Sequence, residues 1–420
     1  MTGFDAGEAN DEVAPNGKAG EFFVVDRRTF MAACALGLNP AIAYLTIARG
    51  AGSRRTSAWS VDAIERYTGI SRPKAKIAVS TLIENHIITL ERSGTRPLYG
   101  IVSAHEWEAS KLSAGERIVL ELIGEQKGVR IPSAHFYTAA DLARRGYLIN
   151  EKNCRFSRNP AAFFSEEPRS VWLPNAIVDG AADERPPLAL LRQMQDIRRL
   201  KLFIALYDVN NLPNDGGVSR ALLYEEHSLR KISERGPLTI WGFNRPGKRY
   251  ATCSSPLPNI FLTGRKNDEG VDPGWADFWS ALNGLDSCGL MNFIPHVFES
   301  NKPEAELMHP YATERDVGET WEHGVADAAH AAAWACLEFE YQEWATREDF
   351  FLLPVPSHIS NVAVIGIGRL KYRPRTRMTA AWFAMSKGRS EAWQTTYESM
   401  VQSHNSLKET GGFGARKIAT

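Results

Sequence analysis

Ser60-Val-Asp-Ala-Ile-Glu-Arg-Tyr-Thr-Gly-Ile-Ser-Arg-Pro-Lys-Ala-Lys-Ile-Ala-Val-Ser-Thr-Leu-Ile-Glu-Asn-His-Ile-Ile-Thr-Leu-Glu-Arg-Ser-Gly-Thr-Arg-Pro-Leu-Tyr-Gly100 is the stretch whose reading decides the fold. It predicts a short helix, a tight turn, a second helix and a β-hairpin. Ser60 caps the first helix by accepting a backbone N–H, and Ile64 and Tyr67 share one of its faces. Gly69 supplies the turn, where a side chain would cost strain. Ile70 plugs the corner. Ser71 caps the second helix, and Pro73 falls in its first turn, where a missing N–H does no harm. Ala75, Ala78, Val79 and Leu82 make the inner stripe of that helix. Arg72, Lys74, Lys76, Ser80 and Thr81 are left outside. Ile87, Ile88 and Leu90, the polar run Arg92-Ser93-Gly94-Thr95-Arg96, and Leu98 to Ile101 read as two strands around a turn.

The outer face of the second helix has the chemistry to meet double-stranded DNA. Ser71, Arg72, Lys74, Lys76, Ser80 and Thr81 suit phosphates and base edges in a major groove. Arg92, Ser93, Thr95 and Arg96 at the hairpin tip suit the adjacent backbone. The turn Gly69-Ile70-Ser71-Arg72, the pair Ala78 and Leu82, and the exit His86-Ile87-Ile88 resemble a winged helix-turn-helix. The register is similar to that of the DNA-binding domains of the GntR class of bacterial regulators. That class usually has glycine where this chain has His86, and histidine tolerates a left-handed backbone better than most residues. The resemblance covers the first quarter of the chain. A winged helix that binds only protein is the alternative, and the cationic outer face weighs against it.

Length and charge bound the rest. The 420 residues predict two or three domains, and 49 basic residues balance 49 acidic ones. A neutral total leaves DNA binding open, because a local patch sets the local field. Cys34, Cys154, Cys253, Cys288 and Cys336 are scattered, with no C-x-x-C pair, which suits neither a zinc site nor a disulfide framework. They read as reduced thiols of a cytoplasmic, nucleoid-associated protein. No apolar run is long enough for a bilayer, so no membrane partner is expected. Residues 1–20 lack anything to bury and read as a disordered tail.

Residues 21–105 form the expected first domain. Its opening strand is Phe22 to Val25, and its first helical pattern runs from Thr29 to Ala48 with an interruption at Gly37 to Pro40. Residues 106–186 read as a connecting region, with helices over Leu112 to Gly124 and Ala139 to Leu148. A basic and aromatic loop from Asn150 to Ser165 and a strand from Val171 to Pro174 follow. Residues 187–310 read as a second, degenerate winged helix. Leu188 to Tyr207 is predicted as one long helix, Ala221 to Ile232 as another, and Leu238 to Phe243 as a strand. Trp275 to Phe298 repeats the core spacing of the first recognition helix: Ala281, Leu282 and Leu285 match Ala78, Val79 and Leu82. Trp275, Asp277, Phe278 and Trp279 replace its cations. Those tryptophans suit a homodimer or partner-protein interface, or simply a core.

Residues 311–405 read as C-terminal helices with one basic strand. Glu319 to Ala345 is predicted as a single helix, Val362 to Gly368 as a strand, and Met378 to His404 as a helix broken near Gly388. Residues 406–420 read as a tail. In Arg369-Leu-Lys371-Tyr-Arg373-Pro-Arg375-Thr-Arg377, alternate cations share a face of an extended chain. They are expected to track a phosphate backbone, or else to form a solvated edge.

The expected fold class is mainly α with small β-hairpins (α+β), as tandem winged helix-turn-helix domains plus a C-terminal helical region. No P-loop, zinc-hydrolase or nucleophile-elbow motif is present, so neither an enzyme nor a cofactor or metal is expected. The expected function is sequence-specific regulation of transcription, with a dimer on palindromic DNA. Two winged helices in one chain also resemble plasmid and phage replication initiators. A protein-interaction scaffold is the third reading.

Overall fold

The computed structural model describes residues 22–409, apart from 53–54, 104–112, 125–127, 145–147, 152–154, 159–169, 182–183, 253–254, 265, 315–317 and 374–376. The expected tail at 1–20 and residues 410–420 therefore lie outside the described residues. The chain is a mixed α+β protein with several small sheets.

The chain enters as strand β1 (Phe22–Asp26) and turns into helix α1 (Arg27–Ala35). Asp26 caps that helix by accepting from the Arg28 and Thr29 amides. Gly37, at φ 117°, separates α1 from α2 (Leu38–Ala51). Ala41 to Ala48 are all buried, so α2 is enclosed on every side. Around it lie β2 (Thr56–Ser57), α3 (Val61–Thr68), α4 (Arg72–Glu84), β3 (Ile88–Arg92) and β4 (Leu98–Ile101), with sheet order β2, β4, β3.

The expected connecting region is more than a connection. Helix α5 (Ala114–Ile123) opens with a capping box between Ser113 and Glu116. Strand β5 (Val129–Arg130), helix α6 (Phe136–Arg144) and strands β6 (Leu148–Glu151) and β7 (Arg155–Arg158) complete a small module. Val119, Ile123, Leu142 and Phe156 form part of its own core. Phe156, assigned from sequence to a loop, is fully buried, whereas Phe163 and Phe164 lie outside the described residues. Strand β8 (Ser170–Pro174) then returns to pair antiparallel with β1.

Four expectations fail here. Leu188 to Tyr207 is two helices, α7 (Pro187–Gln193) and α8 (Ile197–Asp208). Gln195 adopts φ 53°, and Asp196 caps α8 by accepting from the Arg198 amide. Ala221 to Ile232 is β-structure, not helix: β9 (Leu223–His227) and β10 (Arg230–Arg235). Leu223, Glu225 and His227 point inward along β9, and the two inward polar residues masked the alternation. Glu225 is held by the Arg249 guanidinium at 2.8 Å and the Gly247 amide at 3.1 Å. Strands β11 (Leu238–Phe243) and β12 (Lys248–Ala251), helix α9 (Gly274–Ser287), β13 (Met291–Phe298) and β14 (Leu307–Pro310) follow. The expected helix from Glu319 to Ala345 breaks at extended Leu337 into α10 (Thr320–Cys336) and α11 (Phe339–Arg347). After β15 (Phe351–Pro356) and β16 (Ala363–Leu370), helix α12 (Arg377–Glu409) runs unbroken through Gly388 and includes 406–409 of the expected tail.

The expected boundary at 310/311 also fails. The main sheet has the order β12, β9, β16, β13, β14, so a strand from beyond residue 310 lies between two from residues 187–310. All eight residues of β16 are buried. An apolar strand buried on both faces needs partners at both edges, and β9 and β13 supply them. At its end, Arg369 makes a two-pronged ion pair with Glu322 of α10, at 2.8 and 2.7 Å, both side chains buried.

Removing one partner of such a pair strands the other charge. Glu322→Ala is expected to cost about 3–5 kcal/mol of unfolding free energy, read from urea midpoints. Burial holds His296 at about 3, helped by the Arg369 charge, and His309 at about 4. Both therefore bind protons more readily unfolded, where their ordinary value is 6.5. Stability is expected to be full above pH 6.5 and to fall toward pH 4, by up to about 1.4 kcal/mol per pH unit for each histidine. Urea midpoints at pH 7, 6 and 5 check this.

Candidate nucleic-acid interface

The geometry of the α3–α4 corner follows from a few local choices. Ser60 accepts from the Asp62 amide at 3.2 Å and starts α3. Gly69 stands in the left-handed region at φ 70° and ends it. Ile70 is fully buried in the corner. Ser71 occupies the position before α4, but its hydroxyl makes no capping bond. The Glu65 carboxylate takes that role, accepting from the Arg72 amide at 3.0 Å. A carboxylate also suits the positive end of the helix dipole. At the far end, His86 adopts φ 55°, which turns the chain into β3.

Ala75, Ala78, Val79 and Leu82 are buried, as the apolar spacing requires. Ser71, Arg72, Lys74, Lys76 and Ser80 are exposed, and Thr81 is half-buried. Arg72 reaches Asp62 at 3.1 Å, with both side chains more than half exposed. Such a pair is weak and easily exchanged for another anion. Lys74 and Lys76 have no ion pair among the described residues. Arg92, Ser93, Thr95 and Arg96 are exposed at the hairpin tip, and the Arg92 side chain donates to the Arg96 carbonyl at 3.2 Å.

A cleft of about 440 Å³ runs between α4 and the hairpin, and Arg72, Lys76, Ser80, Ser93 and Thr95 line it. The structure thus gathers those five around one groove. Lys74 and Thr81 stand outside its lining. Sequence reasoning missed two participants. Glu65 acts through a bond spanning seven residues, which periodicity does not reveal. Ile77 is 67% exposed on α4, and its signal was an apolar residue out of phase with the inner stripe.

The basic run at the other end of the chain is corrected. Arg369 is buried against Glu322 and lies over the rings of Trp382 and Phe383. Lys371 pairs with Glu184 at 2.9 Å, and Arg373 with Glu319 at 2.8 Å. The strand ends at Leu370, so these cations share no extended face; Arg369 and Arg373 serve internal contacts, and Lys371 keeps a surface ion pair. Arg375 lies outside the described residues. Arg377 opens α12, and its side chain is likewise outside them.

The aromatic face expected on α9 is not free either. Phe278 is fully buried, and Trp275 and Trp279 are half-buried with their rings against it. Both tryptophans pack on the main core. The strands after α9 are not a free hairpin, because β13 pairs with β14 on one edge and β16 on the other.

Among the described residues, no group of three or more His, Cys, Asp or Glu side chains is arranged to hold a metal ion. No helix among them is long and apolar enough to cross a membrane. No protein-family model, curated protein or solved structure matches the chain.

Only the Glu65 carboxylate, and not the Ser71 hydroxyl, bonds an amide at the start of α4. Ser71→Ala is expected to shift stability by less than about 0.5 kcal/mol. Glu65→Ala, which strips the amide at the start of α4, is expected to cost about 1 kcal/mol. Urea unfolding of both variants checks the order.

Proposed function

We propose that the unit over residues 21–105 is a winged helix-turn-helix that binds double-stranded DNA sequence-specifically. In this reading α4 enters the major groove, and the β3–β4 hairpin follows the flanking backbone. The observation that carries it is the cleft between α4 and the hairpin, with Arg72 and Lys76 on one wall and the hairpin-tip residues on the other. Exposed cations spaced along a helix meet phosphates that are themselves spaced along a groove. The protein is a binding protein and not an enzyme, it needs no cofactor, and its biological role is transcriptional regulation in the cytoplasm. Dimerisation would place two α4 helices on the halves of a palindromic operator.

A replication initiator is the second reading. It is favoured by the way α8 and α9 join a further helix-and-strand unit to the first through one continuous core. A fused pair of units suits gripping adjacent turns of a repeated site. The half-buried α9 face makes the second unit a poorer reader of bases.

A salt titration on labelled duplex tests the DNA reading. Affinity is expected to fall steeply with salt, with a log–log slope of about −0.9 for each phosphate neutralised. The combined change Arg72→Ala, Lys74→Ala and Lys76→Ala is expected to abolish tight binding and flatten that slope. Unchanged affinity would remove α4 from the interface. Footprinting on flanking genomic DNA then separates a promoter from an array of origin repeats.

A further inference from the structure

The outward face of α4 is not uniformly cationic. Pro73, Ile77, Ser80 and Glu84 follow one another at four-, three- and four-residue spacing, so they form one line along the helix. That line runs opposite the buried stripe of Ala75, Ala78, Val79 and Leu82, and all four of its residues are exposed. Arg72 and Lys76 flank it on the hairpin side, and Lys74 and Thr81 flank it on the other. The centre of the face is therefore apolar in its first half, and the charges stand at its margins.

Thr81 extends the apolar character. Its hydroxyl donates to the Ile77 carbonyl at 2.9 Å, which commits the polar group to the helix backbone. No amide or guanidinium group stands on the central line. A helix presenting this face has little means of reading a guanine or adenine edge at its centre by paired hydrogen bonds. It has a branched alkyl group there instead, 67% exposed and costly to leave in water. In the major groove the one apolar group that marks a base is the thymine 5-methyl. Glu84 ends the line with a negative charge, which limits how far the helix lies against phosphates.

Resting on the DNA-binding reading above, we infer that Ile77 is the specificity-determining residue of α4 and that it selects thymine by contact with the 5-methyl group. Lys74, Lys76 and Arg72 position the helix by phosphate contacts, and Ile77 supplies the discrimination. The contact is worth about one buried methyl, or roughly a three- to fivefold difference in affinity.

The test uses the full chain. A tight-binding duplex is selected from a pool with a randomised centre. Each thymine in it is then replaced, one at a time, by deoxyuridine, which removes only the methyl. Dissociation constants are measured at fixed salt for the natural protein and for Ile77→Ala. The expected result is a roughly three- to fivefold loss at one or two adjacent thymines with the natural protein, and none at those positions with Ile77→Ala. The salt slope of Ile77→Ala should match the natural protein, which shows that the variant is folded and still engages phosphates. Loss on demethylation that persists in Ile77→Ala, or no loss at any thymine, overturns the role of Ile77 and leaves DNA binding standing. If no duplex is retained at any salt, the DNA reading itself falls, and this assignment with it.

Discussion

Helix α8 constrains everything around it. Its first turn carries Arg198, Arg199 and Lys201 toward the surface, but every residue from Leu202 to Leu206 is buried. A helical stretch buried on every side must be covered on every side. Helix α1 of the first unit and strand β8, which pairs with β1, cover it on one side, and α9 covers it from the second half. The Tyr207 hydroxyl donates to the Tyr372 carbonyl at 2.6 Å, which ties the same helix to the chain leaving β16. One core therefore runs from Phe23 through Tyr44 and Phe203 to Phe293. The first unit does not hang from a linker, and the inner stripe of α4 rests on that same core through α2.

The neutral charge total divides into two populations. Inward charges are matched locally: Arg369 with Glu322, and Arg249 with both Glu225 and Asp286. Buried pairs of this kind add little net stability over an apolar core, but they penalise any arrangement that separates them. They also fix which strand lies beside which helix, since β16 must deliver Arg369 to α10. The outward cations of α4 and the hairpin tip are the complementary population, exposed and weakly held. The same residue types thus serve opposite ends. What decides is whether the cation and the carboxylate that meets it are buried together when the chain is folded.

The sequence by itself determined the features that depend on neighbours a few residues away. The cap at Ser60, the left-handed Gly69, the buried stripe of α4, the tolerated turn at His86 and the strands at Val171, Leu238 and Val362 all rest on local sterics, local hydrogen bonds and short-period burial. Tertiary structure decided the rest. Glu65 displaced Ser71 as the cap because a turn of α3 brought its carboxylate to the start of α4. Leu223 to His227 became a strand because distant groups met its two inward polar side chains, Arg249 and the Gly247 amide at Glu225 and the Asn244 carbonyl at His227. Arg369 went from a presumed surface cation to a buried one because Glu322, 47 positions earlier in the chain, meets it in the core. Strand β16 found its place between β9 and β13 because pairing partners at both edges, distant in sequence, bury what local pattern could only mark as apolar. Periodicity reports which side of an element avoids water, and it carries no record of which distant segment will cover that side.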